Sequence, residues 1–271
     1  MPELPEVEIV ARNLNSILRP PFQILQWKFF RQDLRFVIPQ KKMNSLVGKE
    51  IKKIYRRAKY VLLETENEVL MTHLGMTGSW RVENFNWSPR KHDHLAFRFN
   101  ETQFLVYEDA RRFGYVEVFA KKDFAKRFNH VGVEPLDPGF DGAFLTAQLK
   151  KLNAPIKNAI MNQKFIVGVG NIYASEILFQ AGVSPLKKCS RVSLAQFELI
   201  WKDTQAILKS AIEGGGSTIE NYKNSFGESG QFQNQHQVYG RKDEKCVVCQ
   251  TLIKAKFLAG RNTFWCSTCQ S

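Results

Sequence analysis

The chain has 271 residues, 44% of them hydrophobic and 12% aromatic, so it can bury sizeable cores in two domains, which excludes a disordered or low-complexity protein. Lysine and arginine number 39 against 26 acidic residues, and the net charge of +13 points to a polyanionic partner, either nucleic acid or an anionic membrane surface. No apolar run of about 18 residues could cross a membrane, and the start carries Glu3, Glu6 and Glu8 where a secretory signal would be basic, so a soluble, cytoplasmic protein is expected.

The first predicted element is a helix at about 5–18. Pro5 suits its first position, and Glu6 and Glu8 complement the helix dipole in the first turn. Pro2 and Glu3 precede the helix and need another reason. Strand character follows at 23–30, 50–55, 60–64, 69–74, 79–83, 94–99, 103–107 and 115–119, divided by Gly, Asn and charged turns, which predicts an antiparallel sandwich or barrel. From 131 the pattern changes: 133–139 (VEPLDPG) reads as a linker, and helical periods follow at about 142–152, 172–181 and 193–213. Before the second of these lies Gly168-Val169-Gly170-Asn171. Asn171 is a good N-cap, and the N–H groups of a helix start suit a phosphate, although a tight turn entering a packed helix accounts for the glycines equally well.

Four of the five cysteines stand as Cys246-Val247-Val248-Cys249 and Cys266-Ser267-Thr268-Cys269. Two Cys-x-x-Cys knuckles separated by sixteen residues have the spacing of a tetrahedral four-thiolate zinc site, with two disulfides as the weaker alternative. The intervening segment suits a β-hairpin turning at 259–262, and four thiolates leave no open coordination position, so the one Zn2+ is expected to be structural. Cys189 stands alone and is read as an ordinary semi-buried residue.

Eight motifs in order carry a resemblance: Pro2-Glu3-Leu4-Pro5-Glu6-Val7-Glu8, Arg57-Ala58-Lys59-Tyr60, the run from His73 through Met76 to Gly78, Lys91-His92-Asp93-His94, the run from Asp109 through Arg111 and Phe113 to Gly114, the turn before Asn171, Tyr239-Gly240-Arg241 and the four-cysteine hairpin. Over essentially the whole chain they resemble bacterial formamidopyrimidine-DNA glycosylase. The resemblance implies an α+β fold: an N-terminal antiparallel β-sandwich flanked by helices at 1–131, a linker at 132–140, a helix-two-turns-helix DNA-binding domain at 141–236 and a zinc-finger hairpin at 237–271. It also implies a monomer, with double-stranded DNA carrying oxidised purines or abasic sites in the cleft between the domains.

The same resemblance assigns roles. Removal of Met1 would leave Pro2 with a terminal secondary amine, a nucleophile whose reference pKa of about 7.7–8.0 a positive cleft would lower. Attack at the sugar C1′ displaces the damaged base and gives an iminium ion, whose fixed charge acidifies C2′ and drives β- then δ-elimination. Glu3 is implied as the proton-transfer residue, with a solvated carboxylate as the alternative. Lys59 is implied to hold the phosphate and supply a proton, and Arg261 to grip the phosphate flanking the lesion. An enzyme acting on a paired base must swing the nucleotide out and fill the gap. Met76, Arg111 and Phe113 match the family trio that fills it; on their own, Met76 and Phe113 would read as core. His73, His92, Lys157, Asn171 and Tyr239 are implied DNA-backbone contacts, and Glu6, Glu176, Ser217, Thr218 and Tyr222 belong to the lesion pocket and its covering loop at 214–222.

The chain departs from the family pattern in the weakly basic tract at 150–153, in Ala110 and Ser267 where proline is frequent, and in Glu220 where arginine is common. Two other readings remain at this point. One is the related endonuclease VIII type acting on oxidised pyrimidines, against which Leu4 and the Met76, Arg111 and Phe113 trio speak. The other is a non-enzymatic DNA-binding protein built on a zinc ribbon, which leaves Pro2 and Glu3 unexplained.

Overall fold

In the computed structural model, which describes residues 1–137, 142–217, 230 and 232–271, the helix predicted at 5–18 forms as α1, Leu4–Leu18. Its start is fixed by the Glu3 N–H, which donates to the Glu6 carboxylate at 2.8 Å, and by Pro5, whose missing N–H would have no helical partner in the first turn. Leu4, Val7, Val10, Ala11, Leu14 and Leu18 recur at helical spacing and are all buried. The helix stops at Arg19, which turns left-handed (φ 48°) and returns its N–H to Asn15 O at 2.9 Å. Pro20 and Pro21 then prevent continuation.

The chain divides into two compact units, Met1–Asn129 with Gly215–Gln231, and His130–Gly214 with Phe232–Ser271. In the first unit α1 is followed by β1 (Phe22–Gln23), β2 (Gln26–Phe29), α2 (Gln40–Asn44), β3 (Glu50–Ile51), β4 (Lys53–Arg57), β5 (Tyr60–Glu64), β6 (Glu68–His73), β7 (Gly78–Asn84), β8 (Asp93–Arg98), β9 (Gln103–Asp109), β10 (Tyr115–Ala120) and α3 (Phe124–Phe128). Two antiparallel four-stranded sheets result, ordered β10-β6-β5-β4 and β2-β8-β9-β7, with β1 paired to β3. The strands predicted at 23–30 and 50–55 each break in two because they change partners midway: β1 pairs with β3, whereas β2 pairs with β8 and β4 with β5. Leu14 and Leu18 of α1 share one core with Leu63, Leu70, Trp80, Phe97 and Tyr107 from both sheets. Because α1 packs across β4 and β5, Val61, Leu62 and Leu63 are buried on both faces of β5.

The second unit contains α4 (Gly142–Leu149), α5 (Ile156–Ile160), α6 (Asn171–Gln180), α7 (Leu194–Glu213), β11 (Lys254–Leu258) and β12 (Arg261–Trp265). The period predicted to 152 stops at 149, and the short α5, not anticipated from periodicity, begins after Pro155, which biases Ala154 away from helical backbone. Every residue of α6 from Ile172 to Phe179 is buried, so the helix has no solvent face to give it an amphipathic signature. Ser193 opens α7 with a capping box: its hydroxyl accepts from Gln196 N at 3.2 Å and its N–H donates to the Gln196 side chain at 3.1 Å. Among the described residues no helix is long and apolar enough to cross a membrane.

Candidate active site and metal centre

Pro2 and Glu3 are buried at the start of α1, and Met1 stands 44% exposed ahead of them. The buried Glu6 carboxylate organises this end with both oxygens, one accepting from Glu3 N and the other from Ser217 N, each at 2.8 Å. Gly216 (φ +79°) is needed beside it, since a Cβ there would meet the Glu6 carboxylate at 3.1 Å. A second tie runs from α1 to the β4–β5 turn. Arg56 donates to Glu8 at 2.9 Å and to Ala58 O at 3.0 Å, holding a left-handed Ala58 (φ 53°) and so the adjacent, buried Lys59. The sequence reading took Glu8 only as a dipole complement. Besides its i+4 partner Arg12, it holds Arg56, 48 residues away and beyond the reach of any local pattern.

His73 ends β6 with its ring stacked on Tyr115 at 5.4 Å and tilted against Tyr60 at 5.3 Å. Burial, and then the charges of Lys59 and Arg35, hold its pKa down to about 4, so near pH 7 the ring is neutral; its Nδ1 accepts from Gly75 N at 3.0 Å. Met76 (37% exposed) and Phe113 (45% exposed) project from the β6–β7 and β9–β10 turns, and the Arg111 guanidinium lies 4.8 Å from the Phe113 ring centre. Large apolar side chains left in water on adjoining turns are unlike core, which removes the bland reading of Met76 and Phe113. The Lys91 to His94 motif splits in two. Lys91 and His92 are exposed, whereas Asp93 is buried and holds Arg81 by two bonds of 2.7 Å, and His94 is buried against Asp109 O at 2.7 Å.

In the second unit the expected DNA contacts are largely internal. Lys157 is 1% exposed, and its ammonium donates to Asn171 Oδ1 at 2.6 Å, Thr263 Oγ1 at 2.8 Å and Asn262 O at 3.3 Å. Asn171 is the first residue of α6 and not its cap; Gly170 takes that position, and the Asn171 side chain instead joins Lys157 to Asn262 O, the latter at 3.0 Å. Glu176 is buried and accepts from the N–H groups of Gln237 (2.8 Å), Val238 (3.1 Å) and Tyr239 (2.8 Å). Burial raises its pKa while those three donors pull the other way. It fixes the backbone that presents Tyr239, whose ring meets Phe264 of β12 edge-on at 5.3 Å. Arg261 is exposed and opens β12 as the partner of Leu258 across a two-residue turn, Ala259 (φ 48°) and Gly260 (φ 77°). The predicted four-residue turn is therefore tighter, and Arg261 is held by the strand ladder. Thr218 and Tyr222, together with residues 138–140 of the expected linker, lie outside the described residues.

The four cysteine sulfurs converge within 4.8 Å of one another, with Cys246 and Cys266 buried. Their closest approaches, Cys249 to Cys266 at 3.4 Å and Cys246 to Cys269 at 3.9 Å, are far beyond the roughly 2.05 Å of a disulfide and bracket the roughly 3.8 Å expected between thiolates on a tetrahedral ion. The N–H groups of Val248 and Cys269 point at Cys246 Sγ and Cys266 Sγ, both at 3.5 Å, which suits sulfurs carrying negative charge. The donor set thus fits a metal centre built into the hairpin. Cys189 is fully buried, deeper than expected, and burial pushes its thiol up to about 11.

Three family models match in succession: the formamidopyrimidine-DNA glycosylase N-terminal domain over residues 1–116, the formamidopyrimidine-DNA glycosylase H2TH domain over 131–223, and the zinc finger found in FPG and IleRS over 243–271. The chain is 44% identical over 270 residues to a formamidopyrimidine-DNA glycosylase of Bdellovibrio bacteriovorus, covering 100% of both chains. Among solved structures it resembles the Lactococcus lactis Fpg bound to DNA containing an abasic site, with a TM-score of 0.92, 33% identity and 99% of each chain covered. It is also similar to MutM in complex with DNA containing carbocyclic 8-oxo-G, with a TM-score of 0.91, 33% identity and 99% coverage of each chain.

Proposed function

From the premise that this chain belongs to the formamidopyrimidine-DNA glycosylase family and is a DNA glycosylase, we propose that it excises oxidised purines, 8-oxoguanine opposite cytosine and formamidopyrimidines, through a Schiff base on Pro2 and then cuts the strand by β,δ-elimination. The observation that carries this reading is the anchored start of α1: Pro2 is buried beside Glu3, and the Glu6 carboxylate holds the Glu3 backbone. A nucleophile at a chain terminus is useful only if that terminus does not fray, and here the terminus is fixed.

After Met1 is removed, the Pro2 nitrogen attacks C1′ and the bond from C1′ to the base breaks, the base leaving with a proton. Glu3 moves the protons needed for base departure and sugar-ring opening. Ring opening yields an iminium between Pro2 and C1′, which draws electrons from the C2′–H bond. Loss of that proton expels the 3′ phosphate, a second elimination expels the 5′ phosphate, and hydrolysis returns the free amine. Lys59 and Arg261 hold the flanking phosphates, with His73, His92 and Tyr239 as further backbone contacts and Lys157 and Asn171 bracing the strand that carries Arg261, and Met76, Arg111 and Phe113 fill the vacated stack. The Arg111 fork suits the acceptors of an opposite cytosine. Glu6 and Ser217, with Glu176, Thr218 and Tyr222, form or support the lesion pocket and its cover.

The metal we assign is one Zn2+ on Cys246, Cys249, Cys266 and Cys269; it supplies no chemistry to substrate and fixes the strand that begins at Arg261. The domain division is taken as 1–131, 132–140, 141–236 and 237–271, and the protein as a cytoplasmic monomer. Electrophoresis of an end-labelled duplex containing 8-oxoguanine opposite cytosine tests the chemistry. A one-nucleotide gap with phosphate at both ends is the expected product. A fragment ending in an unsaturated aldehyde would remove the second elimination, and an intact strand with released base would remove both.

A further inference from the structure

The three side chains that fill the vacated stack come from two separate turns, Met76 from β6–β7 and Arg111 with Phe113 from β9–β10. Chain connectivity alone does not keep two turns in register. The fully buried Asp109 carboxylate does, because one oxygen accepts from the Thr77 hydroxyl of the first turn and from Arg111 N (3.2 Å) of the second, while the other accepts from Gly114 N at 2.8 Å. Thr77 Oγ1 closes the ring by accepting from Arg111 N at 3.0 Å. The backbones also touch: a Cβ at Gly75 would meet Gly114 N at 2.3 Å, and one at Gly114 would meet His73 O at 2.7 Å. Asp109 is itself held through its carbonyl by His94 at 2.7 Å and through its N–H by His92 O at 3.0 Å.

We propose that Asp109 is a positioning residue that locks the Met76 turn and the Arg111–Phe113 turn into a single wedge, so that the three side chains enter the duplex together. The inference rests on the base-extruding function assigned above. It requires an acceptor on both arms of the side chain, since Thr77 and Arg111 approach one oxygen and Gly114 the other. An amide of the same shape has only one acceptor and must face one of those donors with its NH2. Locking matters most where a paired base must be expelled, and least where the base is already gone and unpairing costs little.

The test compares wild type, Asp109→Asn and Thr77→Val on two duplexes, one with 8-oxoguanine opposite cytosine and one with a preformed abasic site. Wedge entry is read from 2-aminopurine fluorescence beside 8-oxoguanine in the first duplex. In Asp109→Asn, single-turnover excision of 8-oxoguanine is expected to fall about tenfold to a hundredfold, and wedge entry to slow in parallel. Cleavage at the preformed abasic site is expected to stay within about threefold. Thr77→Val, which leaves Asp109 in place, should show the same pattern more weakly, and it carries the test should Asp109→Asn fail to fold. Equal losses on both duplexes, or unchanged excision and fluorescence in Thr77→Val, would overturn the proposal. A wild type that cleaves neither duplex would instead overturn the assigned function, leaving the fluorescence arm to judge the wedge.

Discussion

The two units treat the same residue types in opposite ways. In the first, the groups assigned to DNA stand in the open, Met76, Phe113, Arg111 and His92, and buried carboxylates fix the backbone near them: Asp109 for the wedge, Glu6 for the N-terminus, and Asp93, which accepts from Arg90 N two residues before His92. In the second, lysine, asparagine and glutamate of the family motifs, Lys157, Asn171 and Glu176, are themselves the braces, and the exposed cation they help position is Arg261. A polar residue in a functional motif can therefore act on substrate or act on its neighbour. Burial and hydrogen-bond partners, which the sequence does not display, separate the two cases.

Metal removal should widen the difference most. The hairpin rests on a small core, in which Phe179 of α6, Val238 and Ile253 pack around Cys246 and Cys266. A four-thiolate zinc site in such a module is worth about 10–16 kcal/mol at neutral pH. Chelation should disorder β11 and β12 and abolish DNA binding, while the unfolding transition of the first unit persists; circular dichroism and a DNA titration on verified metal-free protein check this, and unchanged DNA binding would contradict it.

Removing the buried ammonium comes next. Lys157→Met fills the space but leaves Asn171 Oδ1 and Thr263 Oγ1 without their ammonium donor, and it should destabilise the second unit by about 2–4 kcal/mol in urea unfolding. If Lys157 acts mainly on DNA, stability would instead be unchanged and only the salt dependence of binding would flatten.

The first unit should lose stability in acid through His73. Its folded pKa of about 4 lies below the ordinary 6.5, so the unfolded chain takes up a proton first as pH falls. Stability is complete above pH 7, declines through the window from 6.5 to 4, and loses up to about 3 kcal/mol in all. His73→Gln should flatten that window in thermal melts followed against pH. His236, held near 4 by burial in the second unit, gives a similar slope there, so the difference between wild type and variant is the quantity to read.

Much of this was legible beforehand. Strand character divided by sharp turns yielded β5 at its observed limits, and helical periodicity yielded the 193–213 helix, whose start Ser193 and Gln196 cap. The cysteine spacing led directly to four converging sulfurs. What escaped depends on contacts distant in sequence: the partner changes that split β1 from β2 and β3 from β4, the Arg56 to Glu8 tie, and the buried hub at Lys157, which joins residues more than a hundred positions apart. Asp109 stood inside a quoted motif and still received no role, because a lone Asp before two arginines reads as surface charge until its carboxylate is seen with no exposure and donors on both arms.

The measurement that bears most directly on the central claim is borohydride trapping on a duplex with 8-oxoguanine opposite cytosine, using protein whose intact mass confirms loss of Met1, beside Pro2→Gly. A covalent protein–DNA adduct in the wild type, greatly reduced in the variant, is the result this account predicts. Strand cleavage by the processed wild type with no trapped adduct, or an adduct that peptide mapping places on a residue other than Pro2, would contradict it and move the nucleophile away from the chain terminus.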